Sequence, residues 1–385
     1  MLKKGGNLAA WHMVHKPKQK GGLGVLNLRL QNDALLLKQL HKFYSKQDIL
    51  WVNLIWSRYY QNKVPHASRE VGFFWWKDVL RLNVLYRGIC RCFLGDGSTV
   101  LFWGDLWGPV ILAQAFPALS QATTNISASL MDIVTAPDLV SVVNLPLSQQ
   151  AYEELIDLQD LLTSITYDPG TNDQWSIIWG NNKYSSKKFY NLVFSTLEAP
   201  KTFSWLWKSQ CTPRIKVFAW LMLVDRLNTR VMLRRRNFNI QTGTLCVLCT
   251  VGVDEDIDHL LFACPFAASY WAKLQIHWDL TLDIHRRIIQ AKEAWQLPFF
   301  MEIFLIATWE IWKLRSAVIF DGAQPTSRLW TMWFREQVQL QLLRFNDVKA
   351  SLVKTWLTKL SQNLVNLLLK YLLYRSSPHP TPSSL

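Results

Sequence analysis

Apolar positions recur at helical spacing through most of the chain, and two stretches alternate instead. Leu28, Leu35, Leu36, Leu40 and Phe43 follow a period near 3.6 and predict a helix. Val217, Trp220, Leu221 and Val224 predict a second apolar stripe, with Arg226, Arg230 and Arg234 recurring every fourth residue on another face. From about residue 299 the pattern reads as long helices, carrying Phe304, Ile311 and Trp312, then Trp333 to Phe345, then Leu352 to Tyr374. The alternating stretches are Phe93 to Trp103, around Gly95-Asp96-Gly97, and residues 173–184, around Gly180-Asn181-Asn182. Each predicts a β-hairpin with a glycine-containing turn. Ser185 then stands at the cap of a helix carrying Phe189, Tyr190 and Val193. The fold class expected is α+β and mainly helical, with two short hairpin regions ahead of the helical half.

Composition narrows this further. The chain has 385 residues, of which 50% are apolar and 18% charged, with 20 Trp, so most of it should pack into two or three domains. The formal charge of +14 favours polyanionic partners, nucleic acid or an anionic surface. Two basic concentrations stand out. Residues 1–60 hold ten Lys or Arg against two Asp, and residues 201–245 hold nine against Asp225 alone. The first includes Lys16, Lys18 and Lys20, leading into Gly21-Gly22-Leu23-Gly24, which is neither a P-loop nor a dinucleotide fingerprint and reads as a flexible turn. Asp105 and Trp107 read as a capped, packed corner, and Trp205, Trp207 and Trp220 as core, because their spacing follows the apolar stripe.

The N-terminus, Met1-Leu2-Lys3-Lys4-Gly5-Gly6, lacks the apolar core of a signal peptide. The best membrane candidate, near Leu364 to Tyr374, is interrupted by Asn366 and Lys370. No Cys spacing suggests a disulfide framework: Cys90 and Cys92 fall on one face of a strand, and Cys211 reads as core. An intracellular protein of nucleus or cytoplasm, with no membrane partner, is expected.

The sharpest chemical feature is Cys246, Cys249, His259 and Cys264, in the order C-x2-C-x9-H-x4-C. Three thiols and an imidazole suit the tetrahedral preference of Zn²⁺ for sulfur and nitrogen. Four protein ligands leave no open position, so a structural zinc site is expected rather than a reaction centre. The nine-residue loop inside it holds Asp254, Glu255, Asp256 and Asp258. That acidic loop should repel phosphate, unlike the basic, aromatic knuckles that grip RNA. The face expected to meet RNA or DNA is instead Arg226, Arg230, Arg234, Arg235 and Arg236, with Lys16, Lys18 and Lys20.

Laid out in order, these landmarks resemble the C-terminal part of plant LINE-type (non-LTR) retrotransposon reverse transcriptases. The resemblance runs through Trp11, Gly21-Gly22-Leu23-Gly24-Val25, Trp75-Trp76-Lys77-Asp78-Val79-Leu80, Leu94-Gly95-Asp96-Gly97 and Phe102-Trp103 with Asp105 and Trp107. Its strongest part is similar to the reverse transcriptase zinc-binding domain: Trp175, Tyr184, Pro213, Trp220-Leu221, Asp225-Arg226-Leu227-Asn228-Thr229, Cys246, Cys249, His259-Leu260, Phe262 and Cys264-Pro265. Trp309, Ile311-Trp312, Arg315 and Phe320 resemble the helical tail of the same group.

The resemblance implies RNA-templated DNA synthesis, which needs paired aspartates for two Mg²⁺ ions. No Asp-Asp dipeptide occurs in this sequence, so no catalytic residue is assigned and a non-catalytic fragment is expected. The organisation expected is a basic helical segment at 1–68, an aromatic hairpin and connector at 69–172, the zinc-binding domain at 173–280, C-terminal helices at 281–374 and a disordered tail at 375–385. Two functions compete: a zinc-stabilised nucleic-acid-binding module, and a structural or protein-interaction module whose charge serves solubility.

Overall fold

The computed structural model of the chain describes residues 8–60, 64, 74–166, 168–180 and 182–375. The tail expected to be disordered lies outside the described residues from 376 onward, as do the 68/69 boundary and Asn181 of the expected second turn. Contacts gather the chain into two compact units, Leu26–Thr196 and Met1–Val25 with Leu197–Leu385. Helices dominate both, and among the described residues the strands amount to one two-stranded antiparallel sheet, so the fold is α+β and mainly helical.

That sheet departs from the hairpin expectation. Each alternating region supplies one strand, β1 (Cys90–Phe93) and β2 (Gln174–Ile177), and the two pair with each other, Cys90 opposite Ile177 and Cys92 opposite Trp175. The reason is where the Gly95–Thr99 amides go. Asp173, just ahead of β2, accepts from the Gly95 and Gly97 amides through Oδ1, each at 2.9 Å. Its Oδ2 accepts from the Thr99 amide at 2.9 Å and hydroxyl at 2.7 Å. A loop whose donors converge on one buried carboxylate cannot also close a local ladder. Gly95 fits because a Cβ there would stand 2.4 Å from the Thr171 and Asn172 backbone.

Around this sheet the Leu26–Thr196 unit is aromatic. Cys90 and Cys92 lie on the buried face of β1. Arg87 lies over the Tyr44 ring at 4.6 Å and pairs with buried Asp105. Asp105 also accepts from the Leu101 amide at 2.6 Å, and the Trp107 indole donates to the Phe102 carbonyl at 2.8 Å, so the expected corner is present. The Leu28–Tyr44 helix forms where its period predicts, but it buries Ala34, Leu37, Leu40, Phe43 and Tyr44 and exposes Leu28 and Leu35. Ser185 caps the Ser186–Val193 helix by accepting from the Lys188 amide at 3.3 Å.

In the other unit the Phe300–Asp321 helix is central and is buried on most of its surface. The Pro213–Leu223, Ile284–Trp295 and Ser327–Leu342 helices pack on it. Phe262, Trp271, Trp278 and Phe304 interleave beneath, and Tyr270 stacks on Trp330 with centroids 4.0 Å apart. The Pro213–Leu223 helix buries Ile215, Phe218, Ala219, Trp220, Met222 and Leu223, whereas Val217 is exposed. Trp220 is thus core, and Trp205 and Trp207 pack half-buried against it. Cys211 is buried here as expected.

The glycine-rich run in this unit is a fixed turn and not a flexible one. Gly21 takes a left-handed φ of 83° and its carbonyl accepts from the Trp220 indole at 2.9 Å. A Cβ on Gly22 would stand 2.0 Å from the Lys16 carbonyl oxygen. Among the described residues no helix is long and apolar enough to cross a membrane.

Candidate metal centre

The site begins as a short ladder. The Cys246 amide donates to the Val253 carbonyl at 2.9 Å and the Glu255 amide to the Thr244 carbonyl at 2.8 Å. Between these rungs the chain turns back, with Gly252 in the left-handed region at φ 77°. Cys246 and Cys249 are carried at this turn. Asp256 Oδ1 then accepts the His259 amide at 2.7 Å and opens a single π-helical turn, His259–Ala263. The wider π turn fits the Cys264 amide onto the His259 carbonyl at 2.6 Å, which brings both residues to the same side. Cys264 stands at the N-terminus of the Pro265–Lys273 helix.

These segments bring all four predicted ligands together. One ligand atom from each of Cys246, Cys249, His259 and Cys264 lies within 4.8 Å of the others. The Cys246 and Cys264 sulfurs are 4.0 Å apart, and Cys249 Sγ is 3.4 Å from His259 Nε2. A tetrahedral zinc ion sets S···S edges of about 3.8 Å and S···N edges of about 3.6 Å, so both distances fit one ion. A disulfide would hold its sulfurs at about 2.05 Å, which excludes that pairing. Cys264 is fully buried, Cys246 and His259 nearly so, and Cys249 is half-buried. The Cys264 thiol is held below its ordinary value, chiefly by the hydrogen bond from Cys246 and, against desolvation, by the Ala267 and Phe266 amides. Amides at a helix start favour a thiolate, the form that binds metal.

The acidic loop is internal wiring. Glu255 is fully buried, and its Oε1 accepts from the Arg230 amide at 3.1 Å and from Arg315 Nε at 3.0 Å and Nη2 at 2.6 Å. Asp256 caps the ligand turn. Asp258 pairs at 2.7 Å with Arg287, a buried guanidinium that lies over the Phe262 ring. Asp254 accepts from the Thr244 hydroxyl and pairs with Arg234 at 3.2 Å. Glu255, Arg315 and Arg287 were not singled out by the sequence as site residues. The available signal was an arginine inside the apolar Phe300–Asp321 run, since a buried guanidinium needs a buried acceptor.

The five arginines of the expected basic face lie close together, but each is engaged within its own unit. Arg230 is buried, and its Nη1 reaches the carbonyls of Thr242, Gly243 and Leu245 at 3.4, 3.4 and 3.2 Å, bracing the base of the cysteine turn. Arg234 pairs with Asp254, and Arg235 with Asp225 at 3.2 Å. Arg236 donates to Asn228 and the Leu8 carbonyl, and Arg226 to the Asp225 carbonyl. The lysines lie on the glycine-rich turn: Lys18 is exposed, with its ammonium 5.1 Å from the Trp207 ring centroid, and Lys20 donates to the Leu197 carbonyl. Lys16 is half-buried, and its carbonyl accepts the Gly24 amide at 3.0 Å.

Comparison with known proteins bears on this geometry. Residues 184–271 match a family described as zinc-binding in reverse transcriptase. A putative ribonuclease H protein of Arabidopsis thaliana is 23% identical over 341 residues, covering 83% of this chain and 53% of that protein. An uncharacterized mitochondrial protein of the same plant is 34% identical over 106 residues, covering 26% of this chain and 66% of that protein. The chain therefore spans about half the length of the first relative. No solved structure matches it significantly. The matched segment encloses all four candidate ligands, and the chain is related to plant retrotransposon proteins bearing a zinc-binding segment of the reverse-transcriptase type.

Proposed function

We propose that the chain is a zinc-stabilised, non-catalytic nucleic-acid-binding module, derived from the C-terminal part of a LINE-type reverse transcriptase and acting in the nucleus or cytoplasm. The observation that carries this reading is the closed Cys246, Cys249, His259, Cys264 tetrad inside the family-matched segment. A bound Zn²⁺ would cross-link the cysteine turn, the π turn and the start of the Pro265–Lys273 helix. With all four positions taken by protein, it would have no site for a substrate or an activated water. Glu255 and Arg230 carry that fixed knot into neighbouring helices, so the metal supports the shape of the unit. The formal charge of +14 supplies the attraction for RNA or DNA.

A salt titration of binding by the purified full chain tests the reading. Binding to RNA or DNA should fall steeply with added salt and should vanish when the metal is chelated. Salt-insensitive capture of a protein surface, with no nucleic-acid binding, would favour the protein-interaction module instead.

A further inference from the structure

The arginines that the sequence points to are spent on partners of their own, so the charge available to a polyanion lies elsewhere. Three cations from three separate segments meet beside the stretch joining the Lys201–Lys208 and Pro213–Leu223 helices. Lys18, from the glycine-rich turn, lies over the Trp207 ring at 5.1 Å. Lys216 donates to the Trp207 carbonyl at 3.1 Å. Arg344, just past the Ser327–Leu342 helix, donates through Nε to the Gln210 carbonyl at 3.1 Å. None of the three pairs with a carboxylate among the described residues. The neighbouring acid, Glu302, is buried and already held by Lys349 at 2.6 Å and by the Gln210 amide at 3.1 Å.

We infer that Lys18, Lys216 and Arg344 form the phosphate-binding face of this chain, meeting the backbone of RNA or DNA across the Trp207–Gln210 stretch. The inference rests on the nucleic-acid reading above and relocates its contact surface.

The geometry favours a polyanion in two ways. Each cation is positioned by a neutral group, a carbonyl or a ring face, which orients the charge without neutralising it. Their mutual repulsion is also felt: burial holds the Lys216 ammonium below its ordinary value, and the charges of Lys18 and Arg344 push it the same way. A phosphate among them would relieve that repulsion and release counterions as it bound.

The test is fluorescence polarisation of the full 385-residue chain against a labelled single-stranded RNA and against duplex DNA, each at several salt concentrations. The triple variant K18E/K216E/R344E should bind at least about tenfold more weakly and flatten the log-affinity against log-salt slope for the single strand by about 2, as expected for three lost phosphate contacts. The variant R234E/R235E/R236E should stay near wild type. Zinc content and melting temperature, measured on every variant, report folding. Lys18 and Arg344 are exposed, so K18E/R344E gives the same readout should the Lys216 change disturb packing. Unchanged binding in a folded K18E/R344E or triple variant overturns the inference. Failure of the wild type to bind either nucleic acid overturns the parent reading instead.

Discussion

Arg315 places both Nε and Nη2 on a single oxygen of Glu255, at 3.0 and 2.6 Å, with both side chains buried. That oxygen also accepts the Arg230 amide, so one carboxylate joins the zinc loop, the Arg230–Arg235 helix and the Phe300–Asp321 helix. Removing one member of a buried pair strands the other charge, at a cost of about 3–5 kcal/mol. Arg315→Met and Glu255→Gln should each lower stability by that order in urea unfolding. The double variant Glu255→Leu/Arg315→Met should lose clearly less than the sum of the single losses. Additive losses would mean that the two residues act independently.

Zinc binding should be separable from thiol burial. Cys264→Ser removes a fully buried ligand, and zinc content and melting temperature should fall together. Cys211→Ser changes an equally buried thiol outside the tetrad and should leave zinc content at the wild-type level. Equal metal loss in both variants would contradict the ligand assignment.

Asp173 organises the loop that replaces the expected hairpin, through four donors. Asp173→Ala leaves three backbone amides and a hydroxyl unmatched, and should destabilise the Leu26–Thr196 unit by about 3 kcal/mol or more. Hydrogen exchange checks this: the Gly95, Gly97 and Thr99 amides should lose protection, while amides of the zinc-bearing unit keep theirs.

A pH effect follows from Glu310, buried within the Phe300–Asp321 helix. Desolvation pushes its carboxyl up to about 7, against the opposing attraction of Lys313. The native state therefore holds a proton that the unfolded chain releases at lower pH, so stability falls as pH rises from the ordinary carboxyl value towards 7. Glu310→Gln should melt higher than wild type at pH 8, and the gain should disappear by about pH 4. A gain that does not vary with pH would show that ionisation is not its source.

Local signals in the sequence proved legible, and distant pairings did not. The tetrad could be read because C-x2-C and H-x4-C spacings are short-range geometry, and Ser185 because a cap lies three residues from its donor. The helices were also readable, yet Leu28, Leu35 and Val217 are exposed because apolar residues occupy several faces of those helices and period alone does not choose one. The β1–β2 pairing was hidden because Asp173 outcompetes the local turn. The basic face was misleading for a similar reason: charge counts along the chain do not reveal that Asp254 meets Arg234 or that Glu255 lies buried under Arg315.

Metal analysis of the purified full-length chain addresses the central claim most directly. One zinc per chain is predicted, retained through dialysis, and its removal by a strong chelator should lower the melting temperature and abolish nucleic-acid binding. Metal-free protein that melts at the same temperature with and without chelator would contradict the account.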